Sequence, residues 1–248
     1  MKNKQIRISK LISHYGYCSR KEAEELISNG DVKINNQVFK KFFIYNNLIK
    51  SIKVKDKLLL KQKTRVWILN KPVGFVSSNK EQFKQKSLFR LLPENFPRVV
   101  TVGRLDINSD GLILLTNNPT LSNFLENPIS NVSRQYLVKV YGNVPENLEN
   151  KLENQLVING IIYKKVELKI LTKKKNNNIL KIKLFEGKNR EIRNILNHFN
   201  LTVKKLTRTS FGPFKLKQLN VGETSEIENL ELKKKLISLK FNDENNIG

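Results

Sequence analysis

The sequence predicts an α+β protein in two parts, a small N-terminal module of two helices and a hairpin followed by a larger unit with helices laid against a mixed, mostly antiparallel sheet. Two observations carry this. In the first forty residues, apolar positions recur twice at helical spacing and then alternate. Beyond Arg65 the apolar runs are short and often β-branched, and only one later segment has clear helical periodicity.

The elements follow in order. Ile8, Leu11, Ile12 and Tyr15 share one helix face, and Gly16 supplies the stop. Ser19 caps a second helix and Glu22, three residues on, completes a capping box; Ala23, Leu26 and Ile27 point inward and the helix ends near Gly30. Val32, Ile34 and Val38 alternate about Asn35-Asn36, a turn whose residues tolerate positive φ. Residues 50–63 contain no Pro or Gly, and Ile52, Val54 and Leu58 to Leu60 predict a last strand running into a linker. In the larger unit, strands are expected over residues 66–69, 99–102, 112–115, 136–140, 166–171 and 179–185. One helix is expected over 191–199, with Ile192, Ile195, Leu196 and Phe199 on one face. These readings divide the chain into residues 1–62, 63–240 and a flexible tail, 241–248.

Composition narrows the function. Forty-six Lys and Arg against 22 acidic residues leave a net charge of +24, spread along all 248 residues. Lysine-rich coding bias contributes to such an excess, and a polyanion such as nucleic acid is the better explanation of an imbalance this large. The single cysteine, Cys18, excludes an intramolecular disulfide and a thiolate metal cluster. His14 and His198 have no ligand spacing, no run approaches the ~20 apolar residues of a membrane span, and the basic first ten residues lack the apolar core of a secretory signal. A bacterial cytoplasm and a monomer are expected.

The most informative run is Gly103-Arg104-Leu105-Asp106-Ile107-Asn108-Ser109-Asp110-Gly111. It presents one carboxylate, Asp106, on a tight polar loop between two strand-like runs, as a nucleophile is presented. Asp and Asn also fill loops simply by bonding nearby backbone. Asp106, Asn108, Asp110 and Gly111 further fit the opening half of a calcium loop, but the twelfth position is Asn117 where a bidentate Glu is needed.

This run resembles the catalytic motif of the pseudouridine synthases, in the branch containing the bacterial ribosomal small- and large-subunit enzymes. Asn70-Lys71-Pro72-Val73-Gly74 precedes it as in the family, and Arg134-Gln135-Tyr136-Leu137-Val138-Lys139-Val140 follows where the family has its tyrosine motif. Glu186-Gly187-Lys188-Asn189-Arg190-Glu191-Ile192-Arg193 is similar to the third motif, and Gly212-Pro213 comes at the expected place. The resemblance implies a bent central sheet with the site in its cleft, and catalysis without metal or nucleotide cofactor. It further implies Asp106 as the reacting carboxylate, Tyr136 stacked on the target base, and Arg193 paired with Asp106. Lys188 and Arg190 are then phosphate contacts, Lys71 binds RNA beside them, and Arg104 either helps hold the flipped nucleotide or anchors its own loop. Asn194 departs from the arginine often found there. Ser19-Arg20-Lys21-Glu22-Ala23 with Gly30-Asp31-Val32-Lys33-Ile34-Asn35 resembles the S4 RNA-binding module, implying an RNA face of Arg7, Lys10, Arg20, Lys21 and Lys33. The partner implied is structured ribosomal RNA, and Asn131 to Tyr136 with the third motif is most similar to the large-subunit synthase B group. The small-subunit enzymes and a non-catalytic ribosome-assembly factor are the alternatives.

Overall fold

The computed structural model describes residues 5–78, 81 and 85–242. The N-terminal helices span Ile8–His14 and Arg20–Asn29. The expected capping box is formed: the Glu22 amide donates to Ser19 Oγ at 3.2 Å and the Ser19 amide to Glu22 Oε2 at 2.7 Å. Gly30 closes the second helix in the left-handed region, at φ 84°.

Val32–Ile34 and Gln37–Val38 pair about Asn35 and Asn36, both with positive φ. Residues 50–63 differ from expectation. They hold two strands, Ile52–Val54 and Lys57–Leu58, folded into a second hairpin about Lys55 and Asp56, which also take positive φ. A separate ribbon pairs Gln5–Arg7 with Phe43–Tyr45. Ile8, Leu11, Ile12, Ala23, Ile27, Val32, Ile52 and Val54 form the core of this unit.

The larger unit is built on a nine-stranded, mostly antiparallel sheet. Seven strands follow in the order Glu167–Thr172, Asn177–Leu184, Arg134–Tyr141, Thr202–Phe211, Asp110–Thr116, Val66–Lys71 and Thr224–Glu226; Val100–Val102 adds to Asp110–Thr116, and Phe214–Lys215 to Thr202–Phe211. Among the described residues its one parallel junction joins Asp110 to Thr207 and Gly111 to Arg208.

That junction divides the sheet into two halves with separate cores. On one side the Glu191–His198 helix lays Ile192, Ile195 and Leu196 over Val138, Leu180, Ile182 and Leu206. On the other, Asp110–Thr116 is covered on both faces. Leu112 and Leu114 pack with Leu121, Leu125 and Leu232 of the Pro119–Glu126 and Asn229–Ser238 helices, while Ile113 and Leu115 pack with Trp67, Leu69, Leu88 and Val99. A strand buried on both faces reads as a continuous apolar run, as residues 112–115 do.

The ten-residue strand Thr202–Phe211 and the Pro119–Glu126 and Asn229–Ser238 helices lie outside the expected elements. The expected tail does not begin at Phe241, whose ring packs on Phe124 with centroids 5.1 Å apart; residues 243–248 lie outside the described residues. The N-terminal unit reaches the larger one where His14 Nδ1 and Thr120 Oγ1 lie 3.1 Å apart, and Asn117 and Asn118 bond residues 62–65. No described helix is long and apolar enough to cross a membrane.

Candidate active site

Val100–Val102 and Asp110–Thr116 run antiparallel, with Val102 opposite Leu114, so residues 103–109 form the loop that joins them at the parallel junction. This loop lines a cleft of about 710 Å³ together with Ser77, Tyr136, Arg190 and Arg208, a volume within the ordinary range for small-molecule sites. The Asp106 side chain is 31% exposed into it.

The loop's backbone polar groups are held from several sides. Lys71 is 0% exposed, and its ammonium donates to the carbonyls of Pro72 at 2.9 Å, Ser109 at 2.8 Å and Asp106 at 3.3 Å. The Gly74 amide donates to Ile107 O at 2.8 Å, and Ser77 Oγ bonds both the amide and the carbonyl of Leu105 at 3.1 Å. From the opposite side Arg193 Nη2 donates to Asn108 O at 2.8 Å. A carboxylate on a loop gripped this way stays in one place, the requirement for attack from a fixed geometry.

The structure corrects two expectations here. Lys71 is no RNA contact, because its fully buried ammonium is bound to three carbonyls of the loop it supports. Burial pushes its pKa down to about 8, the Asp110 and Asp106 charges opposing the fall. The pairing of Arg193 with Asp106 also differs from the contact observed. Asp106 Oδ2 lies 3.8 Å from Arg190 Nη1, whereas Arg193, one turn into the helix, reaches loop backbone and Val203 O. Arg193 remains within the field of Asp106, while burial, followed by the Arg190 charge, lowers its own pKa.

Tyr136 faces Arg208 across the two central strands; burial lowers the pKa of that guanidinium, with the Tyr136 phenol opposing the fall. Sequence patterns do not single out Arg208, which is 2% exposed, donates through Nε to Leu112 O at 2.6 Å and stacks 5.2 Å from the Phe211 centroid. Arg134 lies 4.7 Å from the same ring and donates to the carbonyls of Val132, Leu125 and Glu126. The cleft is thus floored by cations that are bound to backbone and already desolvated.

The other basic candidates are distributed. Arg104 is exposed at the cleft rim and Arg190 is half-exposed beside it. Lys188 bonds Glu186 and the Ile162 carbonyl. In the N-terminal unit Arg20 and Lys21 are exposed, Lys10 is partly buried, Arg7 pairs with Glu24 at 2.9 Å, and Lys33 with Asp56 at 2.6 Å.

Comparison with known proteins agrees with this geometry. Residues 65–198 match the family model described as RNA pseudouridylate synthase, and residues 6–41 match the S4 domain. An uncharacterized RNA pseudouridine synthase of Rickettsia typhi is 42% identical over 236 residues, covering 95% of this chain and 96% of that protein. Ribosomal large subunit pseudouridine synthase B of Buchnera aphidicola is 35% identical over 94% of this chain and 98% of its own; its namesake in Bacillus subtilis is 31% identical over 92% and 94%. A crystal structure of a pseudouridylate synthase superposes with a TM-score of 0.67 at 24% identity, over 93% of this chain and 99% of that one, and so shares the fold. With both domain models matched in order and relatives aligned along nearly its whole length, the chain belongs to the RNA pseudouridine synthase family and is an isomerase that carries an N-terminal S4 domain.

Proposed function

We propose that the chain converts uridine to pseudouridine in large-subunit ribosomal RNA, with Asp106 as the reacting carboxylate. The carrying observation is the clamped loop: Ser77 holds the backbone just before Asp106, and Lys71 and Arg193 hold it at and beyond that residue, while its carboxylate faces the cleft beside Arg190. In the reaction the bond from ribose C1′ to uracil N1 breaks, the base turns, C1′ bonds to C5, and the C5 proton is lost as N1 gains one. No redox change occurs, and the demand on the protein is one carboxylate in a pocket that holds a flipped nucleotide.

Tyr136, half-buried in the cleft and opposite Arg208 on the neighbouring strand, can stack on the base. Arg104, Lys188 and Arg190 supply cations at the rim, and Arg7, Lys10, Arg20, Lys21 and Lys33 of the module over residues 1–62 hold flanking RNA for the catalytic unit over residues 63–240. The net charge of +24 supports an RNA partner. The choice of large-subunit RNA is supported by the two relatives named for that subunit, which align over 98% and 94% of their own lengths. The reading includes a single copy of the chain working in the cytoplasm, where ribosomes are assembled.

Mapping pseudouridines in both ribosomal RNAs with and without the protein tests this. Loss of one or a few clustered sites from large-subunit RNA is expected. Loss confined to small-subunit RNA would transfer the substrate there, and no loss from either would place the substrate in another RNA.

A further inference from the structure

The turn that carries Arg190 is closed by two buried carboxyl groups, Glu186 at 5% exposure and Glu191 at 3%. Glu186 Oε1 accepts from the Lys164 amide at 2.8 Å, and Glu186 takes Lys188 Nζ on both oxygens at 3.2 and 3.0 Å. Glu191 Oε2 accepts from the Lys188 amide at 3.0 Å and so ties the helix start back across residues 187–190. The remaining oxygen, Glu191 Oε1, is buried with no donor among the described residues.

An orphaned buried carboxylate oxygen is costly. A protonated one is no orphan, because it carries its own donor, and the Glu186 carboxyl, whose charge Glu191 feels, is the acceptor such a donor would find. Charge counting agrees. Lys188 neutralises Glu186. Arg134, which feels the Glu191 charge from the neighbouring strand, spends its guanidinium on the carbonyls of Val132, Leu125 and Glu126. From the hairpin side Lys164 offers its backbone amide, and the Tyr163 hydroxyl accepts from Asn194. A second negative charge there has no cation of its own.

We propose that Glu186 and Glu191 share one proton, and that this proton locks the turn holding Arg190 against Asp106, making the pair a positioning device for the catalytic loop. The inference rests on Asp106 being the reacting carboxylate. Arg190 needs such a lock because it sits in the left-handed region at φ 50°, which a residue with a side chain rarely adopts. The turn's closure by Glu191 Oε2 supports that conformation, and Arg190 Nη1 then reaches Asp106. When the shared proton leaves, two carboxylates face one ammonium. Glu191 turns out of the pair, the Lys188 amide is released, and Arg190 withdraws.

Burial, with the Glu186 charge adding and the Lys188 amide opposing, pushes Glu191 up to about 7. Burial works the same way on Glu186, but the Lys164 amide and Lys188 outweigh it and hold that carboxyl below its usual range. The proton therefore resides on Glu191 and leaves near neutrality.

The test is single-turnover tritium release from large-subunit ribosomal RNA labelled at uracil C5, between about pH 6 and pH 8.5. Wild-type rate should fall about tenfold across that range, and Glu191→Gln, whose amide donates to Glu186 at every pH while its oxygen still accepts from Lys188, should match wild type at the acid end and lose the part of the fall centred near pH 7, keeping only what deprotonation of Lys71 near 8 contributes. Independently of RNA, carbon-13 carboxyl shifts of the wild-type protein should show a glutamate titrating near 7 that vanishes in Glu191→Gln. If wild type turns over and Glu191→Gln keeps its pH profile, the positioning role is overturned. If every glutamate titrates below about pH 5.5, the shared proton is overturned. Should wild type modify neither ribosomal RNA, the substrate reading fails while the carboxyl titration still decides the pair.

Discussion

Arg193 donates through Nη2 to the carbonyl of Asn108 at 2.8 Å, and so grips the 103–109 loop two residues beyond Asp106 without pairing with its carboxylate. The arginine therefore positions the loop, and its removal should be felt in rate more than in RNA affinity. In Arg193→Ala the single-turnover rate should fall roughly 10²-fold, the cost of a misplacement near 1 Å, with the RNA Kd within a few-fold. Arg193→Lys retains one donor on a flexible stem and should recover part of the rate. A wild-type rate in Arg193→Ala would show that Lys71 and Ser77 suffice to hold the loop.

Asp106→Asn should abolish pseudouridine formation and leave folding almost unchanged. Among the described residues the carboxylate's one ion pair, to Arg190 at 3.8 Å, joins side chains 31% and 50% exposed, and exposed pairs contribute roughly 0–1 kcal/mol. Tritium release and thermal melting measure both. Substantial turnover in Asp106→Asn would remove Asp106 from the reaction.

Lys71→Met should remove the clamp on Asp106 and Ser109 while filling the same space. Each lost bond from a charged donor contributes about 1.5–3 kcal/mol, partly offset because the buried charge goes too. The pH dependence separates these effects. With a folded pKa lowered to about 8 by burial, the folded state sheds its proton before the unfolded state does, at the ordinary lysine value of 10.5. Between those values the unfolded chain binds more protons, so wild-type stability rises with pH relative to Lys71→Met. Urea unfolding across that window should show the gain, and parallel curves for the two proteins would disprove it.

Much of the fold was legible because its elements carry local signals. The Ser19 and Glu22 capping box, the Asn35-Asn36 turn and the apolar run at 112–115 each state their conformation in their own residues. The central strand Thr202–Phe211 was not legible, since Lys204, Lys205 and Arg208 break its apolar alternation. Arg208 is nonetheless interior, because Leu112 O and the Phe211 ring accept its charge, and a pattern of side chains does not reveal a carbonyl partner contributed by a distant strand. The same blindness made Lys71 look like a surface cation. Asn118-Pro119 did carry a helix-start signal, a side chain that accepts from the Thr120 and Leu121 amides followed by proline in the first turn. Only eight residues follow, too few for periodicity to stand out.

RNA binding should weaken steeply with salt, and Arg20→Ala with Lys21→Ala should lower the log-log slope by about 1.4–1.8, two phosphate contacts at roughly 0.7–0.9 each. Both side chains are exposed on the Arg20–Asn29 helix. Turnover of fully bound RNA should stay unchanged. An unaltered slope would place the RNA on another face of the N-terminal unit.

The last prediction concerns the parallel junction itself. Gly111 sits at φ 98° directly opposite Arg208, and a Cβ there would collide with the Arg208 carbonyl oxygen and come within 2.8 Å of its amide nitrogen. Both obstacles are backbone of a central strand, so no rotamer change relieves them. Gly160 offers the control, because it too has positive φ, 76°, but a Cβ built on it meets nothing within 4 Å. Gly160→Ala should therefore show only the left-handed penalty of roughly 1–2 kcal/mol. Gly111→Ala adds steric separation of the two half-sheets to that penalty and should cost more than about 4 kcal/mol, in the range reserved for strain and overpacking. The damage should also reach the site, because Asp110 and Gly111 follow directly on the loop that carries Asp106 and pair with Thr207 and Arg208 beneath Tyr136. Chemical denaturation of both variants decides it: equal destabilisation by the two alanines would mean that the strands separate at little cost, and that the close approach at Gly111 does not hold the halves of the sheet in register.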